Sequence, residues 1–230
     1  VPRECVEVKR VSTGSKPLDT LLEGGIERGV ISNFYGESGS GKTNACIQIS
    51  AEVASSHGNV AYIDTEASFS AERFAQIASE AELENVFVKD VTDFQQQKGA
   101  INSLQAMEQD LELVVVDSMV SLYRLKVDGG NASEVNNELS EQLSKLSEIA
   151  RNQDIPVVIT NQVYTSFDDD ELELVGSDVP KYWSKCLIQL SESQDSRVAE
   201  IAKHRSLEEG QKVGFEITDN GLQRNDSGVF

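Results

Sequence analysis

Gly36-Glu37-Ser38-Gly39-Ser40-Gly41-Lys42-Thr43 fills the pattern G-x-x-x-x-G-K-[ST] at every fixed position, and it restricts the fold more than any other stretch of the chain. Each fixed residue type has a separate physical task. The glycines let the backbone wrap a phosphate so that successive N–H groups point inward. Lys42 can reach β- and γ-phosphates, and the Thr43 hydroxyl can ligate Mg²⁺. Such a loop needs a strand before it and a helix after it. Residues 29–35 are apolar and β-rich, as a buried strand requires. Beyond the loop, Ala45, Cys46, Ile47, Ile49, Ala51, Val53 and Ala54 form a helix-compatible apolar set that ends near Gly58. Strand, glycine loop and helix together make an anion site, because the helix N-terminus itself attracts phosphate. Gly36, Glu37, Ser38, Gly39, Ser40, Gly41, Lys42 and Thr43 are therefore the expected nucleotide-binding residues.

The rest of the chain alternates strand and helix. Strands are expected at 59–64, 86–89, 111–117 and 156–160. A helix is expected over 70–81, and another opens with a capping-box pattern at Thr92-Asp93-Phe94-Gln95. Val135, Leu139, Leu143, Leu146 and Ile149 form an apolar stripe on a long helix. This alternation implies an α/β fold: a RecA-like P-loop domain with a mostly parallel central sheet and helices on both faces. After Trp183 the spacing shortens. Segments 187–190, 198–203 and 213–218 read as antiparallel strands extending one edge, with turn residues at Thr218-Asp219-Asn220-Gly221. Two segments, 122–132 and 163–181, carry no clear pattern. Each follows a strand that should end at the ligand-binding rim. The expectation is a single domain over 1–230, with 1–29 as a lead-in.

Three further strand ends supply candidate chemistry. The apolar run 111–117 delivers Asp117, a Walker B arrangement that would hold Mg²⁺ opposite Thr43, partly through water. Tyr62-Ile63-Asp64-Thr65-Glu66 presents two carboxylates. Glu66 is the candidate for deprotonating the attacking water, and Asp64 for supporting the metal's water shell. Desolvation would raise the pKa of Glu66 and suit it as a base. Val158-Ile159-Thr160-Asn161-Gln162 places an amide, Gln162, where it can sense a γ-phosphate and pass that signal onward. Guanine would require [NT]-K-x-D. The nearest match, Leu125-Lys126-Val127-Asp128, has Leu in place of Asn or Thr, and so ATP is the expected nucleotide.

With 39 acidic against 20 basic residues, net charge is −19. Self-repulsion of this size destabilises a compact chain and opposes anionic ligands. Molar salt shortens the Debye length to about 3 Å and removes most of both penalties, which implies adaptation to a salt-rich cytoplasm. The three cysteines, Cys5, Cys46 and Cys186, are scattered and odd in number, as expected of reduced thiols in a cytoplasmic protein. No apolar run reaches membrane-spanning length.

Upstream of the P-loop stands Ser12-Thr13-Gly14-Ser15-Lys16-Pro17-Leu18-Asp19-Thr20-Leu21-Leu22-Glu23-Gly24-Gly25-Ile26. This lead-in resembles that of the RecA/RadA/KaiC superfamily, and P-loop kinases usually lack it. Tyr62-Ile63-Asp64-Thr65-Glu66, Asp117-Ser118 and Ile159-Thr160-Asn161-Gln162-Val163 are similar to the recombinase branch. The resemblance implies that Arg73, seven residues after Glu66, stacks on adenine. It also implies that Lys203 and Arg205, in Lys203-His204-Arg205, reach a neighbouring subunit's γ-phosphate from one strand face. Single-stranded DNA is expected to meet Arg124 and Lys126 in segment 122–132. Departures matter as much. Only 35 residues precede Gly36, too few for the helix-hairpin-helix DNA-binding domain of RadA. The second DNA loop carries Asp168, Asp169, Asp170, Glu171, Glu173 and Asp178, which should repel phosphates. The implied function is an ATP-binding accessory protein of homologous recombination and DNA repair. It would be a weak Mg²⁺-dependent ATPase with modest DNA contact, a RadA-type recombinase or junction-processing nuclease as partner, and possible self-association. The alternatives are a ring-forming KaiC-like signalling ATPase and an autonomous DNA-dependent strand-exchange recombinase. A small-molecule kinase is disfavoured by the lack of an arginine-rich lid.

Overall fold

The computed structural model describes residues 8–107, 109–128, 130–165, 172–176, 178–193 and 196–224. Asp168, Asp169, Asp170, Glu171, the Glu173 side chain and Cys5 lie outside the described residues.

The lead-in forms a small antiparallel pair, β1 (Arg10–Val11) and β2 (Ile26–Glu27), around helix α1 (Lys16–Leu21). Asp19 explains the Ser-Thr-Gly entry. Its carboxylate accepts from the Thr13 N–H at 2.7 Å, the Thr13 hydroxyl at 2.6 Å and the Ser12 hydroxyl at 2.8 Å. The main body then runs β3 (Ile31–Gly36), α2 (Lys42–Ser55), β4 (Asn59–Asp64), α3 (Ala71–Ile77), β5 (Val86–Asp90), α4 (Phe94–Ser103), β6 (Leu111–Asp117) and α5 (Ser121–Lys126). It continues with α6 (Ala132–Gln153), β7 (Val157–Thr165), β8 (Leu172–Leu174), α7 (Asp178–Trp183), β9 (Cys186–Ser193), β10 (Ser196–His204), β11 (Lys212–Thr218) and β12 (Gly221–Arg224). The sheet order is β12-β11-β10-β9-β3-β7-β6-β4-β5, with β8 paired to β7.

Alternation along the parallel strands divides the core. On one face Leu113, Val115, Val158 and Ile188 pack with α2 residues Cys46, Ile47 and Ile49; on the other Val114, Val116, Val157 and Ile159 meet Leu139, Leu143, Leu146 and Ile149 of α6. Burial on both faces is why these strands read as continuous apolar runs. Among the described residues no helix is long and apolar enough to cross a membrane, and Cys46 and Cys186 are buried free thiols.

Four details differ from the sequence expectations. The first concerns β9, which runs parallel to β3; the antiparallel extension of this edge begins with β10 and continues through β11 and β12. A parallel return needs a crossover, and α7 lies between β7 and β9 among the described residues. Second, α4 is capped one residue later than expected: Asp93 accepts from the N–H groups of Gln95 and Gln96 at 2.9 and 2.8 Å, and the Gln96 side chain reaches back to the Thr92 N–H. A carboxylate that accepts two amides is a strong cap. Third, α3 stops at Ile77, because Ala78 is extended at φ −133°. Fourth, segment 122–132 opens inside α5, which is pinned by buried Leu122 and Tyr123, whose ring meets Phe94 edge-on at 6.2 Å.

Gln48 ties distant parts of the chain to α2. Its side chain donates to the Gly14 carbonyl at 2.7 Å and accepts from the Leu222 N–H at 2.6 Å. Only Gly fits beside it at 221, where a Cβ would fall 2.7 Å from the amide oxygen.

Candidate nucleotide site

The carboxyl ends of β3, β7, β6 and β4 lie along one rim, and the register there is direct: Gly36 pairs with Gln162, and Asp64 with Asp117. Gly36 passes so close to β9 that a Cβ would sit 2.0 Å from the Leu190 carbonyl oxygen. Gly41, at φ 105°, is the N-cap of the 14-residue α2, a left-handed position that glycine occupies without strain. Between them the loop borders a cavity of about 150 Å³, lined by Ser38, Gly39, Gly41, Lys42, Thr43, Asn44, Glu66, Asp117, Ser118 and Gln162. Lys42 Nζ donates to the carbonyls of Gly36 at 2.9 Å and Glu37 at 2.7 Å. Burial lowers its pKa, and the Asp117 and Glu66 carboxylates pull the other way. The buried Ser40 hydroxyl lacks a partner. Glycine turns, a helix N-terminus, an ammonium and a hydroxyl beside a carboxylate suit a polyphosphate with Mg²⁺.

Asp117 is buried and held from both sides. The Tyr62 hydroxyl donates to it at 2.9 Å and the Thr160 hydroxyl at 2.5 Å. Burial and the Asp117 charge push the Tyr62 phenol well up, which keeps it a donor. Glu66 sits across the cavity and remains exposed. Desolvation raises its pKa above the ordinary 4.5, with Asp117 adding to the effect and a hydrogen bond from Gln162 opposing it. That bond runs from Gln162 Nε2 to Glu66 Oε1 at 2.7 Å. Lys42, Thr43, Asp117, Glu66 and Gln162, drawn from four separate segments, thus meet at one cavity.

Other expected residues fall elsewhere. Asp64 does not line the cavity. Buried at 1% exposure, it staples the following turn by accepting from the N–H groups of Glu66 at 3.1 Å and Phe69 at 2.8 Å. A carboxylate inside a turn is stabilised most directly by such amides. Arg73 lies beside the first turn of α2, where Nε donates to Asn44 Oδ1 at 2.8 Å and Nη1 to Gln76 Oε1 at 2.7 Å. Arg124 Nη1 donates to Gln162 Oε1 at 2.7 Å. Lys126 Nζ pairs with both Glu138 oxygens at 2.7 Å and lies 5.3 Å from the centre of the Phe94 ring. Lys203 and Arg205 are at the opposite end of the sheet, about 20 Å along β10 from Arg197. Lys203 donates to the carbonyls of Lys181 and Ser184, and Arg205 pairs with buried Glu27. They do not share one free face: a register shift falls between Ile201 and Lys203, and Arg205 lies past the strand end. Sequence reasoning missed Tyr62 and Thr160, which grip Asp117, and Arg197, which donates to the Gly39 carbonyl at 3.2 Å. The first two stand in motifs already flagged; Arg197 carries no local signal.

The Rad51 family model matches residues 4–225. The DNA repair and recombination protein RadB of Methanobrevibacter smithii is 39% identical over 217 residues, spanning 89% of this chain and 92% of that protein. Its namesake in Methanothermobacter thermautotrophicus is 38% identical over 232 residues, spanning 96% and 98%. A crystal structure of the RadB recombinase superposes with a TM-score of 0.81 at 32% identity, covering 94% of this chain and 100% of that one.

Proposed function

The chain belongs to the Rad51 family, in its archaeal RadB branch of DNA repair and recombination proteins, and on that premise we propose that it is a slow Mg²⁺-dependent ATPase whose nucleotide state is read by recombination partners. The observation that carries this reading is the convergence of Lys42, Thr43, Asp117 and Glu66 on one cavity. Mg²⁺, when bound, would supply positive charge against the negative charge that develops on the phosphates. Thr43 and Asp117 would hold it, Asp117 partly through water. The P-loop amides and the Lys42 ammonium bind the phosphates and fix their register. Glu66, with its pKa raised, accepts the proton of the attacking water, and Gln162 fixes the carboxylate's direction. Arg73, beside the first turn of α2, would stack on adenine.

The accessory role rests on charge. Net charge is −19, and both Arg124 and Lys126 already hold partners within the chain. Phosphate contacts supply most of the affinity for DNA, so this surface favours modest DNA binding and a protein partner, either a RadA-type recombinase or a junction-processing nuclease. Binding of a fluorescent ATP analogue tests the site. Lys42→Ala should abolish it, and unchanged binding overturns the assignment. Hydrolysis should stay flat with saturating single-stranded DNA; strong stimulation with filament formation would instead make the chain an autonomous recombinase. Pull-downs with and without ATP would identify the partner, and sedimentation with ATP would reveal a KaiC-like ring.

A further inference from the structure

The residues around Glu66 form a chain that leads out of the cavity. Gln162 donates through Nε2 to Glu66 Oε1 at 2.7 Å, and its own Oε1 accepts from Arg124 Nη1 at 2.7 Å. A side-chain amide has two nearly equivalent orientations, differing by exchange of oxygen and nitrogen. Only one presents N–H to a carboxylate, and it must then show its oxygen to the opposite side. A guanidinium has donors and no acceptor, so Arg124 accepts no hydrogen bond from a flipped amide. The guanidinium therefore selects the orientation that serves Glu66.

Arg124 is in turn positioned by a second link between the same two segments. It lies three residues after Ser121 on α5, and hence on the same helix face. The Ser121 hydroxyl is 2.6 Å from Thr65 Oγ1, which donates to the Ser118 carbonyl at 2.9 Å and accepts from the Ser118 N–H at 2.8 Å. Thr65 immediately precedes Glu66. The turn bearing Glu66 is thus joined to α5 at Thr65 by a fixed hydroxyl cluster, and at Glu66 itself through one amide and one guanidinium.

We infer that Arg124 is a positioning residue for Glu66, acting through the side-chain amide of Gln162. The inference rests on the reading of Glu66 as the base. It gives Arg124 a function inside the ATPase that is separate from any contact with DNA, and it makes α5 part of the machinery of hydrolysis.

Two measurements on the full chain test it. The first needs no nucleotide. The Gln162 side-chain NH₂ resonance, assigned by its loss in Gln162→Met, should move toward the free-amide position in Arg124→Gln and return most of the way in Arg124→Lys, whose ammonium can still donate to the oxygen. A resonance indifferent to Arg124→Gln overturns the inference. The second is steady-state ATP hydrolysis. Arg124→Gln should lower kcat on the order of three- to tenfold with KM for ATP unchanged, and should add nothing further in a Gln162→Met background. A full additive loss in the double variant, or a fall confined to DNA retention, also overturns it. Absence of hydrolysis in the unaltered protein would instead count against the proposed ATPase, and the amide resonance would still decide the role of Arg124.

Discussion

The two ends of the central sheet handle charge in opposite ways. At the carboxyl ends of β3, β4, β6 and β7, polar groups gather with capacity to spare. The Ser40 hydroxyl is unpartnered, Lys42 rests on loop carbonyls, and Glu66 is kept where desolvation and the Asp117 carboxylate both oppose its charge. At the amino end of the sheet the charges mostly face one another, with Arg10 Nε left unpartnered. Glu27 is buried among Arg10, Arg205, the Ser206 hydroxyl and His204. The basic pairs follow their ends. Arg124 donates to the Gln162 amide beside the candidate site, whereas Arg205 pairs with buried Glu27. A Lys and an Arg two residues apart therefore say little about function until the sheet end they occupy is known.

Substitutions should separate the two ends. The largest effect is expected from Glu66→Gln: hydrolysis falls by about 10²- to 10⁴-fold while binding of the ATP analogue and denaturant stability are retained. For the unaltered protein, a raised pKa at the base predicts that kcat/KM declines with acidity at a pH above 4.5, the ordinary carboxylate value. A rate profile flat down to pH 4.5 would remove Glu66 from the role. Glu27→Ala should do the reverse, leaving nucleotide affinity intact and costing about 3–5 kcal/mol in urea unfolding, because cations lose a buried partner. Stability within about 0.5 kcal/mol of the parent would mean that the cluster is not paired as described.

Whole-molecule charge gives a smaller and more diffuse effect. Melting temperature should climb with KCl as self-repulsion is screened, and a maximum below about 0.3 M would sink the expectation of salt adaptation. The smallest effect belongs to His204. Burial lowers its pKa from 6.5, so between that value and its lowered one the unfolded chain binds more protons than the folded one. Stability is accordingly full above pH 6.5 and declines as pH falls through this window. His204→Gln should flatten that slope in thermal melts.

The sequence was most readable where one residue type admits one job. The P-loop, the strand ends at Asp64 and Asp117 and the apolar stripe of α6 all stand where their patterns put them, because periodicity and glycine chemistry are local properties. Helix α5 was hidden for a physical reason. A six-residue helix cannot hold itself in water and exists through the burial of Leu122 and Tyr123 against other elements. The bond from Arg124 to Gln162 spans 38 positions, and that between Arg205 and Glu27 spans 178, so no window along the chain contains either. The direction of β9 was lost with α7, whose crossover was read as patternless loop.

Gln48 bears on how the protein comes into being. The helix that carries Lys42 and Thr43 completes its buried hydrogen bonds only with Leu222, made 174 residues after Gln48. At about 5–20 residues per second, a ribosome needs on the order of 10–30 s to cover that interval. Through that time the helix that carries Lys42 and Thr43 exists without the strand that holds Gln48.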